Sequence, residues 1–292
     1  MRQPSPSAGP ELQEQAAFAP PGMGKTTNAA GKTHNGAAAA ATGTTATDPA
    51  PGPAGDALDE GFIHRIAPVF KLLRLYSRLE VEGLERIPDG PAILAANHTG
   101  WLGLDYAYSA LSVYDARKRI VRGMAHKTWF MRPKIAEFAR RLGLHAADKD
   151  AMKAIVLAGH LVLIFPEGEK GAFKSERERY MLQEFARGYI RVAMDTGVPI
   201  VPVAIVGGEE ANPSSERIDS YEALLDLSLP TPQNLFPRPV KWRISFLPPV
   251  KLEGGPARAA DRDAVHAENE RIRAILQVEV ARLISVRGHP FL

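Results

Sequence analysis

Apolar runs that stop abruptly at polar residues punctuate the middle of this chain. Ala92–Ala96 (AILAA) reads as a short buried strand, residues 97–103 as a glycine-containing turn, and residues 104–116 as the helix that follows. Residues 161–168 (LVLIFPEG) repeat the pattern: a buried strand ends in a proline, a carboxylate and a glycine. A third run, residues 198–207 (VPIVPVAIVG), carries Pro199 and Pro202, which suit an edge, a bulge or a strand start better than a central strand. Residues 240–247 alternate well enough for a late strand, whereas residues 122–132 (RGMAHKTWFMR) read as a basic and aromatic stretch leading into a helix. Helical spacing is expected over residues 134–142, 151–158 and 184–196. It returns over residues 261–286, with Asp261 placed to cap that helix and Gly288 to stop it. The alternation predicts an α/β fold with a mostly parallel central sheet flanked by helices on both faces.

The chemistry concentrates where the first strand ends. His98 stands at its C-terminal end, and in open α/β sheets ligands bind outside the carboxyl ends of the strands. Asp105 falls in the first turn of the following helix, within reach of the ring. A carboxylate on one imidazole nitrogen fixes the tautomer and stabilises the imidazolium, leaving the other nitrogen to take a proton from a hydroxyl. A plainer reading is a buried histidine beside an acid that serves the helix dipole. Three further histidines, His126, His145 and His160, lack any ligand spacing that would focus a metal, so no metal is expected.

The ordered blocks ANHTGWLGLD, RGMAHKTWFMR, FPEG and VPIVPV, over residues 62–250, resemble the phospholipid and glycerol acyltransferase superfamily. The pattern His-x-Gly-x-x-x-x-Asp, at His98, Gly100 and Asp105, is similar to the bacterial branch near the monoacylglycerol acyltransferases. The wider superfamily places its acid at the position held here by Gly103. After Phe-Pro-Glu-Gly it commonly continues Thr-Arg, where this chain has Glu169 and Lys170. The resemblance implies a glycerol-phosphate-acyltransferase-like fold. It implies transfer of a fatty acyl group from acyl-CoA or acyl carrier protein, as co-substrate, to the hydroxyl of a glycerol-type lipid. His98 would be the general base and Asp105 its orienting acid. Glu167 would hold the acceptor or shape the site, and amides around Gly168 would face the developing oxyanion. Asn97 joins the substrate-binding set. Lys149 and Lys127, with Arg132 and Lys134 as alternatives, are the cations for phosphate or carboxylate groups. No cofactor is required. The sequence has no cysteine and no Gly-x-Ser-x-Gly elbow, so a covalent nucleophile lacks its usual residue. The rival readings are a catalytically inactive lipid-binding module of the same fold and a lipid esterase.

Composition adds a tail and a partner. Residues 1–59 are rich in Ala, Pro, Gly, Ser and Thr, with five consecutive alanines at 37–41, and are expected to be disordered. Residues 60–292 are then the acyltransferase domain. The first 60 residues hold three Lys or Arg against six Asp or Glu, so of the chain's net +3 the remainder carries +6. That excess suits an anionic membrane surface; no zinc-finger or aromatic RNA-binding motif points to nucleic acid. The tail's PPGMGKTT ends like a phosphate-binding loop, but Ala19 occupies the position of the leading glycine. No secretory signal is read at the N-terminus. Apolar runs fall short of the roughly 18 residues needed to span a bilayer. Membrane access is therefore expected from residues 62–79, a basic amphipathic segment with Ile66, Val69, Phe70, Leu73 and Tyr76 near helical spacing. Packing of that segment on the sheet, with Pro68 kinking or starting it, is the alternative. Trp101 and Trp129 are further candidates for contact with acyl chains. The expected location is cytoplasmic, peripheral on the inner face of the membrane; oligomeric state is left open.

Overall fold

The computed structural model describes residues 57–100, 102–213, 234 and 236–291. The low-complexity tail up to residue 56, its phosphate-loop-like segment and Trp101 lie outside the described residues.

Seven strands form one sheet: β1 Glu80–Glu82, β2 Ala92–Ala96, β3 Val121–Ala125, β4 Leu144–Ala146, β5 Leu161–Ile164, β6 Ile200–Val206 and β7 Arg243–Phe246. Their order is β1-β7-β6-β2-β5-β3-β4. Strands β6, β2, β5, β3 and β4 are parallel, so their C-terminal ends share one rim. Strand β7 runs antiparallel to β6, and β1 is parallel to β7.

The helices are α1 Glu60–Tyr76, α2 Leu104–Arg117, α3 Pro133–Arg141, α4 Lys149–Leu157, α5 Glu169–Ala172, α6 Gly188–Thr196, α7 Gly208–Ala211, α8 Pro256–Ala260 and α9 Arg262–Arg287. Two apolar layers cover the two faces of the sheet. Ile93 and Ala95 of β2 point into one, with Ile155 of α4, Ile190 of α6 and Leu276 of α9. Ala92, Leu94 and Ala96 point into the other, with Leu104 and Tyr108 of α2 and Trp242. A strand buried on both faces needs apolar residues at every position, which is why AILAA reads as a run without alternation.

Strand β6 is internal, between β7 and β2; it starts directly after Pro199 and carries Pro202 at a bulge, two of the places those prolines suit, while the edge position is not the one adopted. Pro202 is tolerated because of that bulge: from the Ile200–Val250 bridge to the Val203–Phe246 pair the chain advances three residues on β6 but four on its partner. Pro202 shows its carbonyl to that side, accepting from Leu247 N at 2.9 Å, so its missing N–H falls where the ladder is already interrupted. The stretch 122–132 does not lead straight into a helix. Its first part is strand β3, and a 3-10 turn at Lys127–Phe130 intervenes before α3.

The C-terminal helix follows its caps. Asp261 accepts from the backbone N–H groups of Asp263 (2.9 Å) and Ala264 (3.2 Å). Gly288 ends the helix with φ 72°, where a side chain would be strained. No helix among the described residues is long and apolar enough to cross a membrane.

Candidate active site

His98 leaves β2 at the shared rim, and its ring nitrogen Nδ1 lies 2.6 Å from Oδ2 of Asp105. The left-handed turn at Gly103 (φ 71°) starts α2 and sets Asp105 in its first turn, under the ring. Asp105 is 1% exposed and fully engaged. Oδ2 also accepts from Thr99 N at 3.0 Å, and Oδ1 from Tyr106 N at 2.9 Å. Two backbone N–H groups already donate to this acid; in the tautomer whose Nδ1–H donates to it as well, Nε2 is left as the acceptor nitrogen. The ring itself stacks on Phe165, with centroids 4.3 Å apart and planes 21° from parallel, and the His98 side chain keeps 19% exposure. One polar edge on a held ring is what a base toward a bound hydroxyl needs.

The other rim residues are sorted by their partners. Asn97, expected among the substrate contacts, is fully buried and belongs to the sheet. Its Nδ2 donates to Ile205 O (2.9 Å) and its Oδ1 accepts from Ile205 N (2.7 Å), continuing the β2–β6 pairing with a side chain. Glu167 likewise faces protein. Oε1 accepts the His98 N–H at 3.0 Å, Oε2 accepts Gln183 N at 2.8 Å, and Lys174 Nζ lies 2.9 Å from Oε2. It shapes the site from beneath and has no oxygen directed outward for an acceptor. The N–H of Gly168 is spent on Phe165 O at 3.0 Å, closing the turn after β5, so that amide is not an oxyanion donor.

Lys127 and Lys149 both follow strands that end on this rim, β3 and β4, and both are exposed. Lys149 lines a cavity of about 290 Å³ with Lys153, Arg191 and Asp195, along α4, α6 and α8; His98 and Asp105 are not among its walls. His126 Nδ1, after β3, stands 3.2 Å from Oε1 of Glu169, the first residue of α5 after β5. Among the described residues no three His, Cys, Asp or Glu side chains are arranged to hold a metal ion.

Lys174 and Glu209 were not anticipated from the sequence. In GAFKSERERY a lysine among alternating charges reads as a solvated face, yet its side chain is 1% exposed. Burial pushes Glu209 up from 4.5 to about 7; the nearby Lys174 works against that rise and Glu167 adds to it.

Residues 78–206 match the protein-family model described as Acyltransferase. An uncharacterized protein of Mycobacterium tuberculosis (strain H37Rv) is 35% identical over 228 residues, 73% of this chain and 64% of that protein. The chain thus spans just under two thirds of the length of that relative. A Gallus gallus protein named DGAT1/2-independent enzyme synthesizing storage lipids is 27% identical over 181 residues, 62% of this chain and 54% of the relative. Among solved structures, the 1-acyl-sn-glycerophosphate (LPA) acyltransferase PlsC of Thermotoga maritima is similar with a TM-score of 0.50 and 17% identity, covering 78% of this chain and 84% of that one. At that identity the likeness is one of fold.

Proposed function

We propose that this chain, which matches the Acyltransferase family model through residues 78–206, is an acyltransferase that moves a fatty acyl group from a thioester to the hydroxyl of a glycerol-type lipid. The observation that carries this reading is the 2.6 Å contact between His98 Nδ1 and Asp105 Oδ2 at the C-terminal rim of the sheet. His98 Nε2 takes the hydroxyl proton as the alcohol oxygen attacks the thioester carbonyl. Asp105 stabilises the imidazolium that forms. The tetrahedral intermediate collapses with loss of the C–S bond, and the imidazolium returns its proton to the departing thiolate. Atoms balance as ester plus free thiol, and no covalent enzyme intermediate or cofactor is needed. The donor is acyl-CoA or acyl carrier protein.

We favour an uncharged acceptor such as a monoacylglycerol over a phosphate-bearing one. Glu169, paired with His126, puts a carboxylate on the same rim, and a carboxylate repels phosphate. The Gallus gallus relative, named as an enzyme synthesizing storage lipids, agrees with that preference.

Action at an anionic membrane surface, on its cytoplasmic side, is part of the proposal. Val69, Leu72 and Leu75 of α1 are 59%, 68% and 76% exposed, while Phe70 and Leu73 turn inward onto the apolar core. The helix therefore packs with one apolar stripe and leaves a second one outside. Exposed Arg65 and Lys71 on the same helix supply cations for lipid headgroups.

Mass spectrometry of lipids after incubation with labelled acyl-CoA and a mixture of lipid alcohols tests the reading. A labelled ester, absent with His98→Ala, is the expected result. Activity of His98→Ala within threefold of the parent chain removes the base. Free fatty acid released without an acceptor turns the assignment to an esterase, and binding without turnover turns it to a lipid-binding module.

A further inference from the structure

His98 is gripped by its backbone as well as by its ring. Its N–H donates to Glu167 Oε1 at 3.0 Å, and its carbonyl accepts from Lys174 Nζ at 3.4 Å. Lys174 Nζ also lies 2.9 Å from Glu167 Oε2 and 3.3 Å from Glu209 Oε1. Glu209 is anchored in turn, since its Oε2 accepts Tyr180 N at 2.5 Å. A single buried ammonium therefore ties together the loop after β2, which holds His98, the loop after β5, which holds Glu167, and α7 after β6, which holds Glu209.

Burying a lysine is costly, several kcal/mol for an ion left without a counter-charge. Two carboxylates offset that cost, yet a fold stabilised by two apolar layers does not need a charge there. What the arrangement secures is orientation. With amide and carbonyl of His98 contacted from opposite ends by one ion pair, rotation of its peptide planes is opposed, and Cβ is aimed so that Nδ1 meets Asp105. Close packing completes the hold: a Cβ at Gly171 would come within 3.0 Å of His98 Cβ.

We propose that Lys174, braced by Glu209, is a positioning residue that fixes the backbone of His98 so that the imidazole stays seated on Asp105. The proposal rests on His98 being the base, but the seating has a readout of its own. The hydrogen-bonded Nδ1 proton of His98 is expected to give a downfield resonance in the selectively histidine-labelled full chain. Lys174→Met preserves length and removes the charge; Glu209→Gln preserves shape and removes the brace.

In the folded variants the His98 Nδ1 resonance is expected to be lost or broadened. With acyl-CoA and a monoacylglycerol, kcat is expected to fall about 10- to 100-fold with KM changed less than about threefold, the pattern of a misplaced group and not of lost substrate binding. If Lys174→Met does not fold, Glu209→Gln is read by the same two measurements. A folded variant that keeps the resonance overturns the proposal whatever its turnover, and so does absence of the resonance from the parent chain. Should the parent chain transfer no acyl group while the resonance still depends on Lys174, the acyl-transfer reading fails and the positioning role stands.

Discussion

A single acid, Asp105, receives three donors: the His98 ring, Thr99 N and Tyr106 N. An amide in its place must turn its NH₂ toward at least one of them. Asp105→Asn is therefore expected to lose imidazolium stabilisation and to leave donor facing donor. We expect kcat to drop about 10²- to 10⁴-fold, read at saturating acyl-CoA, the range set by general-base catalysis. A denaturation experiment on the same variant should show a loss of about 1–3 kcal/mol from the unsatisfied buried group. Gly171→Ala acts on the same base from outside its hydrogen bonds. The added methyl would meet Glu167 Cβ at 2.5 Å and His98 Cβ at 3.0 Å, so Glu167, which accepts the His98 N–H, must move and the hold on His98 loosens with it. Turnover is expected to fall by about 10-fold or more, since a displacement near 1 Å costs up to about 10²-fold, while circular dichroism stays that of the parent. His98 and Asp105 were legible because both sit where a strand ends and a helix begins, in local sequence. Lys174 and Glu209 were not, because their burial depends on loops that meet only in the folded sheet. Asn97 and Glu167 were legible as rim residues, but which way their polar atoms turn is decided by Ile205, Gln183 and Lys174.

Among elements, the β2–β6 pair bears most of the site, since one delivers His98 and the other leads into Glu209. Asn97 extends that pair by binding both backbone groups of Ile205. Asn97→Ala leaves those groups buried and without the side chain, at a cost of about 1–3 kcal/mol for each unsatisfied group, measurable as a lower urea midpoint. Glu209 gives the same region a pH dependence. Its folded value is raised to about 7 from 4.5, mainly by burial, so between those values the folded chain binds a proton that the unfolded chain has released. The contribution of this group is fully present below 4.5 and is lost as pH rises through 7. Unfolding free energy at about pH 8 should thus lie closer to that at about pH 5 in Glu209→Gln than in the parent chain. Strand β2, strand β5, α2 and the capped α9 were readable from apolar runs and terminal residues alone. The internal place of β6 was not, because the bulge that accommodates Pro202 forms only against β7 and its continuation to Val250, which lie some forty residues on in the chain. Strand β3 was hidden by Arg122, a charged residue in a buried run that only its neighbours in the fold explain.

For the whole molecule, the question is how a site on a sheet rim reaches a lipid that lives in a bilayer. On α1 the exposed residues Val69, Leu72 and Leu75 repeat at three-residue intervals and form one stripe. Phe62 of α1 meets Phe138 of α3 edge to face at 5.7 Å, so the two helices are neighbours. Helix α3 continues the apolar exposure with Ile135 and Phe138, and Met131 just before it is 68% exposed. Exposed Arg65, Lys71, Arg132, Lys134 and Arg140 border these residues in sequence. A surface of that composition has little to gain from water. Burying one leucine in hydrocarbon is worth about 1.5–3 kcal/mol, so two leucines outweigh any single rim charge. Leu72→Glu with Leu75→Glu is therefore expected to reduce cosedimentation with vesicles of mixed neutral and anionic phospholipid by at least about 10-fold. The parent chain should also release as salt is raised, because exposed cations are screened over about 10 Å at 0.1 M. Neither side chain touches His98 or its supports, so turnover of a short-chain acceptor dissolved in water should be unchanged. Vesicle binding equal to the parent's in the double variant would mean that α1 is simply a packed first helix and that the lipid is met through another surface.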